Sequence, residues 1–229
     1  MQLTLATYNI HRCIGTDGRF EPERVAEVLK LLQADFIALQ EVETRSDGGI
    51  DLLEQFSHAT GMKEIVAGPT MYRSDSQYGN ALLSRHPLER HETIDISYPE
   101  REPRGAISAT ALIDDCRIHL LATHLGLRPV ERRDQVRLLL SELEKQKSDI
   151  SILMGDLNEW FLWGRPLRWL HRHFTRTSAP ATFPARFPLL SLDRIWVDPR
   201  SAIRSIRRVS NPTSRLASDH LPITATIHL

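Results

Sequence analysis

Short apolar runs of strand length are the feature that most restricts the fold of this sequence. Apolar and β-branched residues dominate each run, and turn-forming residues border it. Only a few amphipathic helical segments lie between the runs. This distribution predicts an α+β fold in which two sheets pack face to face and helices cover their outer faces. The predicted strands are Leu3 to Asn9, Asp35 to Gln40, Asn80 to Ser84, Ala106 to Ile113, Arg117 to Thr123, Ile150 to Met154, Arg194 to Val197 and Pro222 to Ile227.

Three segments have the pattern of helices. The first begins at Pro22, which suits a first helical position, and carries apolar residues at helical spacing through Leu32. The second extends from about Ile50 to Thr60 and is stopped by Gly61. The third begins near Pro129, and a polar face opposes its apolar stripe, which is typical of a helix lying on a sheet. That stripe consists of Val136, Leu139, Leu140 and Leu143.

Two further segments predict how strands pair. Asp114 and Asp115 separate two predicted strands as a short hairpin turn would, which favours antiparallel pairing there. The segment from Arg200 to Arg208 alternates arginine with isoleucine, as a half-buried edge strand does.

Length, charge and cysteine content limit the class of protein. The 229 residues suit one globular domain, 1–229, and 29 basic residues balance 29 acidic ones, so no global positive field favours tight, sequence-independent DNA binding. Cys13 and Cys116 have no metal-ligand spacing and give no reason to infer a disulfide. The chain has no signal-like amino terminus and no apolar window long enough to span a membrane, so we expect a cytoplasmic protein.

Acidic, amide and imidazole side chains recur where the predicted strands begin or end. Strand ends that open to one edge of a sandwich can converge on one pocket, and rigid elements hold such groups precisely. Each residue alone is more simply explained as a solvated turn residue or a cap. Their joint placement predicts a site formed by Asn9, Glu41, His124, Asp156, Asn158, Asp219 and His220.

The oxygen donors among them suit a hard cation. Glu41, Asn9 and Asp219 offer oxygen ligands, and no cysteine or paired histidine beside them favours zinc. Magnesium usually keeps several waters and takes one or two protein carboxylates, so Glu41 alone is an adequate principal ligand for Mg²⁺ or Mn²⁺. The alternative is that Glu41 is a surface acid like Glu43.

The remaining polar groups suit acid-base chemistry. Asp156 and Asn158 lie two apart, so an extended backbone would point both the same way, although GDLN could also be an Asx turn. His220 can activate water or stabilise charge because imidazole titrates near neutrality, but it could instead be a cap. Asp193 is the candidate to orient its ring, and a salt bridge to Arg194 is the alternative.

Seven motifs, taken in order, resemble the motif set of the endonuclease/exonuclease/phosphatase superfamily, which has the DNase I-like fold. They are YNI, LQEVE, YGNALLSRHPL, THL, MGDLNEW, LDRIWV and SDHLP, and they span nearly the whole chain. Each is weak alone, but their order and spacing together are specific. The resemblance implies a four-layered α/β/β/α sandwich, with helices flanking two mixed, mainly antiparallel sheets and the site at one end.

The resemblance also implies a role for each site residue. Glu41 would be the principal metal ligand, Asn9 would support it or the metal, and Asp219 would lie in the metal shell. Asp156 would move a proton on water or the leaving group, and His220 would sit beside phosphorus, paired to Asp193. The phosphate would be contacted by Asn158 and His124, the pocket lined by Tyr78 and Asn80, and a phosphate oxygen paired with Arg104.

The catalytic residues of this superfamily do not identify a substrate, because its members hydrolyse nucleic acids, phosphotyrosyl-linked DNA, inositol phosphates and sphingomyelin. Several motifs here look more like the lipid-diesterase and phosphotyrosyl-diesterase branches than the DNA-repair branch. With the neutral net charge, this favours a phosphodiesterase acting on lipid-derived or small phosphoesters. The alternatives are a nuclease or DNA-end-processing enzyme, and a non-catalytic binding scaffold. No obligate protein partner is implied.

Residues 160–176, WFLWGRPLRWLHRHFTR, form the most unusual segment. They contain three of the four tryptophans, with arginines between them. Such a segment could rest on a membrane surface, stack single-stranded bases, or be a partly buried helix with solvated arginines. Peripheral membrane contact and nucleic-acid contact both remain open from the sequence.

Overall fold

The computed structural model describes residues 1–45 and 51–229. Among them, five α-helices and eleven strands alternate along the chain with two short 3-10 turns. The helices are α1 (Pro22–Leu32), α2 (Leu52–Thr60), α3 (Pro129–Lys145), α4 (Arg165–Phe174) and α5 (Pro212–Ala217). The strands are β1 (Gln2–Asn9), β2 (Phe36–Arg45), β3 (Glu64–Tyr72), β4 (Ser76–Ser84), β5 (Arg90–Asp95), β6 (Gly105–Ile113), β7 (Cys116–His124), β8 (Ile150–Asp156), β9 (Asp193–Asp198), β10 (Ile203–Arg208) and β11 (Ile223–His228).

The strands form two mixed sheets. One has six strands in the order β10-β11-β1-β2-β4-β3, and the other has five in the order β5-β6-β7-β8-β9. Among the described residues, only β1 with β2 and β7 with β8 pair in parallel. Asp114 and Asp115 have positive φ and join β6 to β7, which pair antiparallel from Ile113 opposite Cys116, as the hairpin prediction required.

Three apolar clusters fill the spaces between four layers. Residues such as Leu5, Phe36 and Leu120 pack between the two sheets. Helices α1, α2 and α5 cover the outer face of the six-stranded sheet. Helices α3 and α4 cover the five-stranded sheet, where Val136, Leu139 and Leu143 are buried as the helical stripe predicted. The predicted four-layered sandwich is therefore confirmed.

The element boundaries differ from prediction in a few places. Helix α2 begins at Leu52 and ends at Thr60, followed by Gly61 in a left-handed conformation, whereas Ile50 of the predicted helix lies outside the described residues. Strand β2 continues past Gln40 to Arg45, and the edge strands β3 and β5 were not predicted. The Arg200 to Arg208 segment contains edge strand β10, in agreement with its alternating pattern.

No helix in residues 1–45 and 51–229 is long and apolar enough to cross a membrane. Cys13 is buried, Cys116 is partly buried, and both are free thiols. Helix α4 buries Pro166, Leu167 and Leu170, so the helical interpretation holds for the second part of the 160–176 segment.

Candidate active site

A cavity of about 330 Å³ lies where the two sheets bring several strand ends together. The carboxyl ends of β1, β7 and β8 supply Asn9, His124 and Asp156, and His220 lies just before β11. The lining residues are His11, Arg12, Glu41, Met71, Arg73, Tyr78, Glu102, Arg104, His124, Leu127, Asp156, Asn158 and His220. The polar lining contrasts with a larger hollow of about 560 Å³ beside Thr16, whose described lining residues include no carboxylate or imidazole.

Glu41 enters the cavity from a bulge in β2. The pairing of β2 with β4 shifts between Leu39 and Val42, and Glu41 has a φ of 57°. A bulge re-aims a side chain without ending the strand, and a non-glycine residue with positive φ is strained unless its surroundings fix it. The sequence interpretation placed Glu41 after a strand, whereas the structure places it within one.

The Asn9 amide joins two carboxylates from opposite sheets. Its Nδ2 donates to Glu41 Oε1 at 3.0 Å and to Asp156 Oδ2 at 3.1 Å, and its Oδ1 accepts from the His11 backbone N–H at 3.0 Å. Asn9 is almost fully buried, so its three hydrogen bonds satisfy a polar group that would otherwise be costly to bury. These contacts bring Glu41 and Asp156 to one place.

Asp156 and Asn158 are held by an Asx turn and not by an extended backbone. Asp156 Oδ1 accepts from the Asn158 backbone N–H at 2.9 Å, and Asn158 has a φ of 49°. Gly155 precedes them with a φ of 150°, and a Cβ there would lie 1.9 Å from the carbonyl oxygen of Thr123. Of the two interpretations of GDLN, the extended one is therefore wrong and the Asx turn is confirmed, yet both side chains still line the cavity.

His220 forms a buried pair with Asp193. The ring Nδ1 lies 2.8 Å from Asp193 Oδ2, which also accepts from the Thr182 hydroxyl, and Nε2 lies 3.7 Å from Asp156 Oδ2. Burial lowers the pKa of His220, but the negative charges of Asp193 and Asp156 together outweigh this effect, and the pKa is raised to about 10. The geometry therefore favours a protonated ring oriented by Asp193 and facing Asp156.

Asp156 is the carboxyl group that faces the His220 ring. Burial raises its pKa to about 6, although the charge of His220 lowers it. At neutral pH the carboxyl group is therefore mostly ionised, and its pKa is close enough to neutrality for it to accept a proton during the reaction.

His124 is held neutral. Burial lowers its pKa well below the usual value, and the charges of Arg104 and His220 act in the same direction. Arg104 NH1 lies 3.0 Å from the ring Nδ1, and because a guanidinium only donates, the ring proton is assigned to Nε2. That nitrogen lies 3.5 Å from Asp156 Oδ2 and 3.0 Å from Asn158 Nδ2, which is also a donor, so with this tautomer the two nitrogens form no hydrogen bond with each other. His124 thus presents an N–H to the carboxylate side of the cavity.

Two groups of residues could hold a cation. Ligand atoms of Asp156, Asp193 and His220 all lie within 4.8 Å of one another, but a protonated His220 bonded to Asp193 has no lone pair for a metal. Glu41 is half-buried in a polar cavity beside the Asp156 carboxylate, which is the hard oxygen environment that Mg²⁺ or Mn²⁺ prefers. The donor chemistry around Glu41 therefore fits a divalent cation.

Tyr78 and Arg104, expected as a lining residue and as a partner of a phosphate oxygen, both line the cavity, but Asn80 and Asp219 do not. Asn80 Nδ2 donates to the Gly105 carbonyl at 2.9 Å, so it joins the two sheets behind the site. Asp219 Oδ1 lies 3.8 Å from His11 Nδ1 outside the cavity lining. The expected lining role of Asn80 is therefore wrong, because the amide serves the sheet packing.

Several lining residues were missed from the sequence. His11 and Arg12 follow Asn9 in a run with positive φ that includes Cys13 and turns the chain into the cavity. Arg73 directly follows β3, and Glu102 lies in the segment before β6. Only the position of His11 two residues after Asn9 could have indicated this, because the other lining residues depend on which strands become neighbours.

Comparison with known proteins agrees with the geometry. A model of the Endonuclease/Exonuclease/phosphatase family matches residues 6–220. The chain is 32% identical to the "Uncharacterized protein YbhP" of Escherichia coli K12, covering 97% of this chain and 95% of that protein. An endonuclease/exonuclease/phosphatase from Beutenbergia cavernae superimposes with a TM-score of 0.83 at 21% identity, covering 100% of this chain and 72% of that one. A D. rerio TDP2 complexed with single strand DNA product superimposes with a TM-score of 0.75 at 17% identity, covering 100% and 99%.

Proposed function

The chain belongs to the endonuclease/exonuclease/phosphatase family, and on that premise we propose that it is a divalent-metal-dependent phosphodiesterase. It hydrolyses a phosphodiester by in-line attack of water on phosphorus, with lipid-derived or small phosphoesters as the favoured substrates. The observation that carries the proposal is the contact of Asn9 with both Glu41 and Asp156 beside the His220–Asp193 pair. Residues from both sheets thereby share one polar cavity.

Proton transfer and charge stabilisation are assigned to two groups that face each other. Asp156, with its pKa raised to about 6 mainly by burial, accepts a proton from the attacking water. His220, kept protonated by Asp193 and Asp156, stabilises negative charge that develops on the phosphoryl oxygens. Asp193 holds the ring in the orientation that this requires.

Neutral donors and cations bind the phosphoryl group. His124 and Asn158 contribute N–H donors, and burial raises the pKa of Tyr78, which keeps its hydroxyl protonated as a donor. Arg104, which also lines the cavity, supplies a fixed positive charge. Donors placed before charge develops lower the barrier without reorganising during the reaction.

The cation would be held by Glu41, with Asn9 fixing that carboxylate. When bound, Mg²⁺ or Mn²⁺ would supply Lewis-acid stabilisation of the phosphoryl oxygens. Asp219 is not required as a ligand, because Mg²⁺ usually takes only one or two protein carboxylates and keeps several waters.

A nuclease or DNA-end-processing activity is the second candidate. The solved TDP2 structure with a single-stranded DNA product has the same fold over the whole of this chain, and Arg12, Arg73 and Arg104 give this cavity cations that any phosphodiester would meet. A non-catalytic scaffold is less favoured, because binding alone does not require a buried His220–Asp193 pair beside Asp156.

A product-resolved panel distinguishes these candidates. Supercoiled plasmid, single-stranded oligonucleotide, 5′-phosphotyrosyl DNA, phospholipids and glycerophosphodiesters are incubated with Mg²⁺ or Mn²⁺, with and without chelator. We expect chelator-sensitive release of alcohol and phosphomonoester from phospholipid or glycerophosphodiester. Turnover of DNA alone would favour the second candidate, and silence across the panel with both metals would favour the scaffold.

His220→Ala tests the assignment of the catalytic group. We expect the rate on the best substrate of the panel to fall by at least ~100-fold, the scale of removing one group that stabilises developing charge, with cooperative thermal unfolding retained. His173→Ala, at an exposed position on α4 outside the cavity lining, is the matched control. A folded His220→Ala protein with wild-type turnover would remove this residue from the mechanism.

A further inference from the structure

Two turns beside the cavity expose large apolar side chains. Trp160, Phe161, Leu162 and Trp163 are consecutive and are 55%, 52%, 63% and 73% exposed. In a second turn, Phe187 and Leu189 are 76% and 79% exposed. Single exposed apolar residues need no explanation, but grouped ones mark interaction surfaces.

The first turn is fixed to one wall of the cavity. Trp160 lies two residues beyond Asn158, a lining residue. Glu159 between them forms a buried ion pair with Arg132, whose guanidinium also donates to the Leu127 carbonyl at 2.6 Å. Leu127 lines the cavity and is 61% exposed, so it extends the apolar turn to the cavity mouth.

The second turn is fixed to the part of the cavity that contains His220. The Phe183 ring lies 4.9 Å from the His220 ring, and the Phe183 carbonyl accepts from the Leu189 N–H at 2.9 Å. The tip that carries Phe187 and Leu189 is therefore only a tight turn away from the His220 side of the site. Each apolar turn is therefore connected to a residue that lines the cavity, the first to Asn158 and the second to His220.

The segment that carries both turns is entirely free of acidic residues. Residues 160–192 contain no Asp or Glu, although the whole chain has equal numbers of acidic and basic residues. Arg165, Arg168 and Arg172 are exposed on α4 at i, i+3 and i+7, so they share one helical face. Within the described part of the chain, none of these three forms an ion pair, and they remain available to an anionic partner.

The shape and chemistry of this surface favour a lipid bilayer over a nucleic acid. Stacking of single-stranded bases uses a groove in which aromatic rings accompany cations, whereas these exposed residues at two turns include leucines, which have no π face. Aromatic and aliphatic tips beside an arginine face are the features of a surface that lies in the headgroup layer of anionic lipid.

We propose that the rim surface, formed by the apolar turns 160–163 and 187–189 and the arginine face of α4, docks the protein on anionic membranes. Docking would turn the cavity mouth toward phosphoesters in the headgroup layer. In that respect the inference rests on the proposed function, although the binding itself requires no turnover.

Vesicle sedimentation in chelator tests the docking apart from catalysis. Wild-type protein is mixed with vesicles of phosphatidylcholine alone or with phosphatidylglycerol added, and the bound fraction is measured at low and high salt. We expect salt-sensitive binding to the anionic vesicles, with the partition coefficient lowered at least ~10-fold in Trp160→Ala/Trp163→Ala. Asp156→Asn, which removes the proposed proton acceptor and is part of neither turn, should bind like wild type, whether or not the protein proves to be a hydrolase.

Matched variants separate the rim surface from general effects. Leu31→Ala/Leu112→Ala removes exposed apolar side chains elsewhere, and should bind vesicles as wild type does. Arg165→Glu/Arg172→Glu should weaken binding at least ~10-fold, whereas Arg204→Glu/Arg207→Glu, an equal charge change on β10, should leave it within ~2-fold.

Three outcomes would overturn the proposal. Wild-type protein could fail to sediment with anionic vesicles, or the rim and control variants could lose binding equally. Alternatively, Trp160→Ala/Trp163→Ala could lose affinity for a fluorescent single-stranded oligonucleotide while vesicle binding is unchanged, which would assign the rim surface to nucleic acid.

Discussion

The metal proposal depends on how one carboxylate is aimed. Glu41 has a strained backbone in a bulge of β2, and the buried Asn9 amide holds its Oε1. Strain at one residue persists only when its surroundings determine it, and such residues cluster at functional sites. The local backbone therefore supports Glu41 as a ligand more strongly than its position in the sequence could.

Glu41→Gln is expected to raise the Mg²⁺ concentration for half-maximal turnover by at least ~10-fold, because it removes the charge that holds a hard cation and keeps the oxygen that Asn9 bonds. The measurement is a Mg²⁺ titration of hydrolysis on the best substrate of the panel. Glu43→Gln is the control, since Glu43 lies two residues away and pairs with Arg73 at 3.1 Å. Equal metal dependence in both variants would contradict Glu41 as the ligand.

The types and the order of the site residues could be predicted from the sequence, but local distortions of the backbone and contacts between the sheets could not. The order of Asn9, Glu41, Asp156 and His220 indicated the site because each follows or precedes an apolar run. The bulge at Glu41 arises from the pairing of β2 with β4, which no local pattern encodes. Asn80 was misassigned for a related reason, since its bond to Gly105 exists only once the two sheets face each other.

At the scale of elements, edge strands were the least predictable. β3 contains Gly68 and Pro69, which argue against a central strand but are tolerated at an edge. β5 has charged residues and little buried surface, so its apolar pattern is weak. Central strands such as β7 and β8 are buried on both faces and appear as continuous apolar runs, which is why they were identified correctly.

The end of β8 depends on glycine at position 155. Gly155→Ala would combine a φ of 150° with a Cβ 1.9 Å from the Thr123 carbonyl, so either β7 or the turn before Asn158 must move. We expect a loss of about 3 kcal/mol or more in the free energy of unfolding. Turnover should also fall, because the same turn aims Asp156 and Asn158. Chemical denaturation and the hydrolysis assay provide the two measurements.

Gly18→Ala is the matched control for that change. Gly18 also has a positive φ, of 76°, but nothing lies within 4 Å of a Cβ built there. We expect a loss of only about 1 kcal/mol from the backbone conformation alone. If the two variants lost equal stability, the close approach of β7 would not be the cause.

The Arg132–Glu159 pair joins α3 to the segment after β8. Both side chains are 2% exposed, and the guanidinium Nε lies 3.2 Å from Glu159 Oε2. Arg132→Met should cost about 3–5 kcal/mol, because it leaves a buried carboxylate without its partner. Equilibrium unfolding in urea measures the loss. Arg132→Met/Glu159→Leu should recover much of it, and a double variant as unstable as the single one would refute the explanation.

An exposed pair provides the comparison. Arg90 and Glu92 lie 3.5 Å apart with side chains 68% and 41% exposed, so Arg90→Ala should change stability by no more than about 1 kcal/mol. The difference between the two pairs would show that burial, and not charge count, determines how the cavity wall is held.

At the scale of the whole molecule, the two sheets bring together residues far apart in sequence and also bury groups that the site does not use. His119 on β7 is fully buried, and its Nε2 lies 2.9 Å from the Ser108 hydroxyl on β6. Burial lowers its pKa, although the charges of Glu142 and Glu92 oppose the shift. Folding therefore disfavours protonation of this ring.

This shift gives a pH dependence with a defined sign. The unfolded chain binds a proton at His119 near pH 6.5, whereas the folded protein binds it only at lower pH. The stability contributed by the neutral ring is therefore complete above about pH 6.5 and is lost as pH falls toward the folded pKa, with a slope of at most about 1.4 kcal/mol per pH unit.

His119→Gln removes the titrating group and should flatten the decline in stability between pH 7.5 and 5.5. Urea unfolding across this range measures the slope, with the exposed His91→Gln as the control for loss of one imidazole. Equal flattening in both variants would show that burial of His119 on the α3 side of the five-stranded sheet is not the source of the acid sensitivity.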